Sequence, residues 1–176
     1  MSDVRFPVGC HLEQLRRDHP RKSFRSGQQL VDEWLATKAV QHQTKHLSAT
    51  KVLIAEDGAI AGYYTLAPAQ IDFSDLTAEI ARRLPHRMLP AAVLAWLGVD
   101  AAHQGRRLGS QLLGQALRDF WEGGKIFPFV LVIVDCVDEK AKSFYKNFGF
   151  AQLPGQPYRL YLSAQELDAM MQSQST

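Results

Sequence analysis

Two apolar runs, residues 91–99 and 127–134, stand on either side of a stretch whose apolar residues recur at helical spacing. A run without polar alternation suits a strand buried on both faces. Between them Leu108, Leu112, Leu113, Ala116, Leu117 and Phe120 make one stripe, and Gly123-Gly124 supplies the stop. Strand, amphipathic helix, strand is a βαβ unit. It commits the two strands, taken as 91–99 and 127–136, to a parallel pair with a right-handed crossover. Neither run approaches the ~20 residues that a membrane-spanning helix needs.

The remaining segments arrange themselves around this unit. Ser26 and Gln29 have capping-box spacing, and Leu30, Val31, Trp34, Leu35 and Ala39 then predict a helix running to about His46. Lys51–Ala55 and Ala59–Ile71 read as a hairpin around Glu56-Asp57-Gly58. A helix is expected over Ser74–Leu84, ended by Pro85. Asp138 can cap a further helix, with Gly149 at its left-handed end. Phe150–Leu153 and Tyr158–Leu162 form a last antiparallel pair, and Ser163 with Glu166 opens a closing helix to Met171. The fold class is therefore α/β with a mixed sheet. One domain is expected over residues 1–176, with an N-terminal extension over 1–22 and a disordered tail over 172–176.

A formal net charge of +2 neither demands nor excludes a nucleic-acid partner, since a basic patch can sit inside a near-neutral total. Two cysteines, Cys10 and Cys136, make neither a disulfide framework nor a ligand cluster, and a reducing cytoplasm is the simplest home. Cys136 follows an apolar run and reads as a buried thiol. His42 and His46 are four residues apart but have no third ligand and no metalloprotease-type glutamate, so no metal is expected.

Chemistry concentrates after the first buried strand, in His103-Gln104-Gly105-Arg106-Arg107-Leu108-Gly109-Ser110. Glycines permit close backbone approach, two arginines bring positive charge, and a helix begins with unpaired N–H groups. Those features suit a pyrophosphate, although a basic turn capping a helix has the same composition. A second segment, Phe144-Tyr145-Lys146-Asn147-Phe148-Gly149-Phe150, follows the second strand. It places Tyr145 towards the carboxyl edge of the sheet, where open α/β sheets bind ligands.

Leu97-Gly98-Val99-Asp100, Gln104 to Gly109, Ala141 and Phe144 to Phe150 together resemble the acetyl-coenzyme A signature of the GNAT acetyltransferase superfamily, over about Phe24 to Leu162. Arg107 stands where the family pattern has its middle glycine, which makes the loop's geometry the point at issue. The resemblance implies a mixed, mostly antiparallel sheet splayed between two parallel central strands and flanked by helices. It implies an acetyl-CoA site made by Leu97, Gly98, Val99, Gln104, Gly105, Arg106, Arg107, Leu108, Gly109, Ser110, Ala141 and Phe144. It also implies Tyr145 as the residue facing the thioester sulfur. A phenol with a free pKa near 10 is protonated at neutral pH and can donate to a developing thiolate. Asp100, His103, Glu56 and Asp72 are the outline candidates for a base. The lack of an obvious one favours an α-amine acceptor, whose pKa lies well below that of lysine.

Phe24-x-Ser-Gly before the first helix and Gly62-Tyr63-Tyr64-x-Leu66 resemble the TacT-like group of bacterial GNAT toxins, although Ala95-Trp96 replace an arginine common there. That resemblance implies acetylation of the amino acid on charged tRNA, a ribbon-helix-helix antitoxin and a homodimer, with no membrane. Arg16, Arg17, Arg21, Lys22, Arg25, Lys45, Arg82, Arg83, Arg87, Arg106 and Arg107 are candidates for tRNA phosphate contacts. Two alternatives remain at this level: an N-acetyltransferase of a small amine, peptide or protein, and a non-catalytic acyl-CoA module.

Overall fold

The computed structural model describes residues 4–173 of the 176. Among the described residues seven strands form one sheet in the order β1-β2-β3-β4-β5-β7-β6. They are β1 (His11–Gln14), β2 (Ala49–Ile54), β3 (Ile60–Asp72), β4 (Met88–Val99), β5 (Leu131–Asp135), β6 (Ala151–Gln152) and β7 (Arg159–Ser163). The helices are α1 (Gln29–Glu33), α2 (Ala39–Thr44), α3 (Ala78–Ala81), α4 (Leu108–Gly124), α5 (Glu139–Asn147) and α6 (Ala164–Gln172). The sheet is mostly antiparallel, and β4 and β5 are its parallel pair. Among the described residues no helix is long and apolar enough to cross a membrane.

The chain divides into two compact units, residues 4–67 with 95–116, and residues 68–94 with 117–173. In the first unit β1, β2 and the start of β3 pair antiparallel, and the hairpin turns where the sequence places it: Gly58 has φ +84° and the Asp57 carboxylate accepts from the Ala59 N–H. Its core joins Leu15, Phe24, Val31, Leu35, Ala39, Val52 and Tyr63. The π-helical turn Trp34–Lys38 connects α1 to α2, the Ala39 N–H reaching back five residues to the Trp34 carbonyl. Trp34 stacks on Trp96 at 5.2 Å, meets His42 edge-on and donates to Thr65 Oγ1. Thr65 in turn bonds Thr50 at 2.8 Å, so two fully buried hydroxyls are satisfied.

The second unit has its own core of Ile71, Leu76, Leu89, Ala91, Leu131, Ile133 and Leu153. Here β4 and β5 pair in register from Ala92↔Val132 to Leu94↔Val134, and β5 then pairs antiparallel with β7. β4 continues past that pairing to Val99. The predicted stripe of α4 is buried at all six positions. At α6 the capping box forms as the spacing predicts, Ser163 Oγ accepting from the Glu166 N–H while Glu166 accepts from the Ser163 N–H.

The structure corrects several local expectations. β1 lies inside the segment read as an extension. The helix expected over 74–84 shrinks to α3 after a 3-10 turn at Phe73–Asp75, because Asp72 and Thr77 each cap their own short turn. β5 starts at Leu131: Pro128 has no N–H to give a ladder, and Phe127 is 80% exposed. Ser26 does not cap with Gln29. The Asp32 carboxylate instead accepts from both the Ser26 N–H and its hydroxyl, and Gln29 bonds Glu33. Leu30 is largely exposed rather than on the buried face. Gln172 ends α6; the rest of the expected tail beyond Ser173 lies outside the described residues.

Candidate active site

The predicted residues fall into two groups, one in each unit. In the first unit Leu97, Gly98 and Val99 end β4. Gly98 is required by packing, since a Cβ there would meet Val31 Cγ1 at 2.6 Å, Tyr63 at 3.2 Å and Phe24 at 3.3 Å. Beyond the strand the Asp100 carboxylate accepts from the Ala102 and Arg25 N–H groups, and the Ala101 N–H donates to the Arg25 carbonyl at 2.7 Å. The Gln104 amide donates to the carbonyls of Ser26 (2.7 Å) and Val99 (3.0 Å). Gln104 thus ties the loop back to the strand end, with its side chain committed to protein. The brace at Arg25-Ser26 was not foreseen, although Phe24-x-Ser-Gly marked its place.

The loop then makes two left-handed residues, Gly105 at φ +79° and Arg107 at φ +56°. Glycine adopts that region freely, whereas arginine does so at a cost. The position where the family pattern has glycine therefore keeps a glycine-like backbone despite its side chain. α4 begins immediately, and its first intrahelical bond runs from the Gln111 N–H to the Arg107 carbonyl. The N–H groups of Leu108, Gly109 and Ser110 belong to the unpaired first turn. No acidic residue stands in that turn, so the positive end of a 17-residue helix and the exposed Arg106 and Arg107 act with one sign. This arrangement fits an anionic pyrophosphate.

In the second unit Asp138 caps α5 by accepting from the Ala141 N–H at 2.7 Å. That N–H is used within the protein, and only the methyl of Ala141 is left to face a ligand. Phe144 packs edge-on to Tyr145 at 5.2 Å and against Phe148. Tyr145 is 7% exposed, and its hydroxyl has no hydrogen-bond partner among the described residues. Burial, and secondarily Cys136, holds its phenol above the usual range, so it is a protonated donor at neutral pH. The Cys136 thiol is itself pushed up to about 11 by burial and by Asp135, which leaves it a poor nucleophile. Gly149 ends the helix at φ +90°, as predicted.

Two of the four outline bases are committed elsewhere. Asp72 accepts from the Ser74 N–H and hydroxyl, which holds its carboxyl below the ordinary range, and Asp100 serves two backbone N–H groups. His103 Nδ1 is buried, 3.9 Å from Asp100 and without a hydrogen-bond partner. Of the basic candidates, Arg16 pairs with Glu13 and Asp18, and Arg25 donates to the Lys22 and Phe24 carbonyls. Arg82 and Arg83 line a cleft of about 670 Å³ in the second unit.

The acetyltransferase (GNAT) domain model matches residues 48–152, three-fifths of the chain and most of both groups. The chain belongs to the GNAT acetyltransferases. Among relatives of this GNAT chain is a tRNA-acetylating toxin of Mycobacterium tuberculosis, 29% identical over 85% of this chain and 89% of the toxin. In fold, it is similar to AtaT complexed with acetyl-methionyl-tRNAfMet, with a TM-score of 0.84 at 22% identity over 92% of this chain and 99% of that one. It is also similar to a mutant AtaT toxin bound to the C-terminus of the antitoxin AtaR and acetyl-CoA, with a TM-score of 0.78 at 20% identity over 93% and 98%.

Proposed function

We propose that this GNAT acetyltransferase moves an acetyl group from acetyl-CoA to the α-amine of aminoacyl-tRNA, as the toxin of a toxin–antitoxin pair. The single observation that carries the acceptor is the likeness to a tRNA-acetylating toxin across almost the full length of both chains. Acetyl-CoA supplies the activated thioester. On the protein side, the N–H groups of the first turn of α4, with Gly105, Arg106 and Arg107, hold the pyrophosphate, and Gln104 holds that loop in shape. Backbone of Leu97 to Val99 lies along the pantetheine arm, and an N–H near Val99 receives the negative charge that develops on the carbonyl oxygen. Ala141 and Phe144 give apolar contact.

The new bond joins the amine nitrogen to the acetyl carbon as the carbon–sulfur bond breaks. Tyr145 donates its hydroxyl proton towards the departing sulfur, and solvent takes the proton lost by the amine. An α-amine needs no dedicated base: its pKa near 8 leaves part of it neutral at physiological pH. That agrees with the commitment of Asp72 and Asp100 to turns. A ribbon-helix-helix antitoxin and a second copy of the chain complete the proposal, which treats the protein as cytoplasmic and as one acetyltransferase domain.

The test is transfer of labelled acetyl from acetyl-CoA into a total charged tRNA pool, with uncharged tRNA as control, at low and high salt. Label on charged tRNA alone, diminishing with salt, is the expected result. Bound cofactor with no label on tRNA would transfer the search to small-molecule and protein amines.

A further inference from the structure

A cleft of about 300 Å³ opens on the first unit between α2 with the turn before it and the segment that follows β1. Three basic side chains line it, Arg17 and Arg21 from the segment and Lys45 from the helix end, and no carboxylate does. Thr37 and Thr44 line the helix side, their hydroxyls donating to the Glu33 and Val40 carbonyls. The side chains of Arg17 and Lys45 are exposed and have no hydrogen-bond or ion-pair partner among the described residues. Arg21 is held in place by donating through one terminal nitrogen to the Ala36 carbonyl at 3.1 Å, while its Nε is buried without an acceptor.

These features differ from those of an ordinary solvated basic surface. Elsewhere in this segment Arg16 is neutralised by Glu13 and Asp18. In the cleft three cations line one opening with no carboxylate among the lining residues, a charge arrangement that an anion would complete. An Arg fork and an ammonium are donors suited to phosphate oxygens. No residue of the loop 104–110 assigned to the pyrophosphate lines this cleft.

We infer that the Arg17–Arg21–Lys45 cleft binds backbone phosphate of the tRNA, holding the acceptor by its polynucleotide rather than by its amino acid. This rests on the charged-tRNA reading above. It explains how a chain of net charge +2 can bind a polyanion: the positive charge is local, three basic side chains on one cleft with no carboxylate among its lining residues.

The experiment measures binding of uncharged tRNA by fluorescence anisotropy across a salt series, alongside labelled acetyl transfer to charged tRNA. The proteins are the full chain, Arg17→Gln, Lys45→Gln and the double variant, with Lys125→Gln removing one charge elsewhere. Arg21 is left intact because it is tied to the backbone. Each single change in the cleft is expected to weaken tRNA binding roughly 3- to 10-fold at low salt and to make the log–log salt slope shallower by about 1. Lys45→Arg restores binding, and Lys125→Gln leaves it unchanged. Acetylation by the double variant should show a raised KM for charged tRNA with kcat and the KM for acetyl-CoA preserved. Unaltered affinity and slope in the double variant would overturn the inference, as would an equal loss in Lys125→Gln. So would binding of inorganic phosphate in the cleft without any effect of the variants on tRNA. The two readings separate cleanly. A wild type that binds tRNA through these residues but transfers no acetyl sinks the proposed activity alone, and one that acetylates charged tRNA with no help from them sinks the cleft alone.

Discussion

Replacing Arg107 by glycine should make the protein more stable, although it deletes a side chain and adds no contact. At φ +56° this residue occupies the left-handed region, where a Cβ crowds the following carbonyl. That conformation costs an ordinary L-residue about 1–2 kcal/mol. Glycine removes the cost but gives the unfolded chain more freedom, a penalty of roughly 0.5–1 kcal/mol. Taken at the middle of each range, the balance is a gain of about 0.5–1 kcal/mol. For a chain of this size it raises Tm by about 1–4 °C. Arg107→Ala is the necessary control, because it removes the same charge while keeping the Cβ and hence the strain. Thermal melts followed by circular dichroism, with urea titrations for the free energies, would compare the three proteins without ligand. If Arg107→Gly melts no higher than Arg107→Ala, the left-handed backbone is not strained there and the geometric account of the loop fails. Both variants should bind acetyl-CoA more weakly, since each loses a positive charge beside the pyrophosphate.

Tyr145→Phe should lower kcat by about 100-fold or more while leaving acetyl-CoA affinity and Tm nearly unchanged, because the lost hydroxyl donates to no protein group. Equal turnover, measured by release of free thiol, would remove Tyr145 from the reaction. Gly98→Ala should cost about 1–3 kcal/mol through overpacking against Val31, Tyr63 and Phe24, visible as a lower urea midpoint; an unchanged midpoint would show that these neighbours yield freely. Alkaline pH should destabilise the fold in a defined window. Folded Cys136 keeps its proton to about 11 against an ordinary 9, so its contribution is complete below pH 9 and lost as pH rises to 11. The buried Tyr63 and Tyr145, both held above 10, extend the loss upwards. Urea midpoints at pH 8.5 and 10.5 should differ, and Cys136→Ala should narrow the difference.

Elements whose local chemistry agrees with their packing were legible in the sequence. The α5 cap at Asp138 and stop at Gly149, the Ser163–Glu166 box and the Asp57-Gly58 turn each depend on residues a few positions apart. The buried stripe of α4 was readable for the same reason, since helical periodicity needs no distant partner. β1 was not readable: His11-Leu12-Glu13-Gln14 carries little apolar alternation and is a strand because β2 offers it a ladder. Ser26 misled because its spacing to Gln29 mimics a capping box, whereas the decisive partner, Asp32, is a turn further on. At the candidate site the residue types pointed to an anion-binding loop, but the commitment of Gln104 to Ser26 depends on a contact 78 residues away. The left-handed Arg107 could not be read from a side chain that ordinarily avoids that region.

The π-helical turn at Trp34–Lys38 gives the helix one residue more than a regular spiral needs to join the same two ends. Each residue advances an α-helix by about 100°, so the surplus lets Trp34 face Thr65 and Trp96 while Ala39 still lands in the core. A chain shortened by one residue between 35 and 38 would relax to an ordinary α-helix with both flanks still in phase. The same deletion in the unbroken spiral of α4 would swing half of its buried stripe towards water. Length variation in this protein is therefore tolerable inside one of its helices, at the place where an extra residue is already stored.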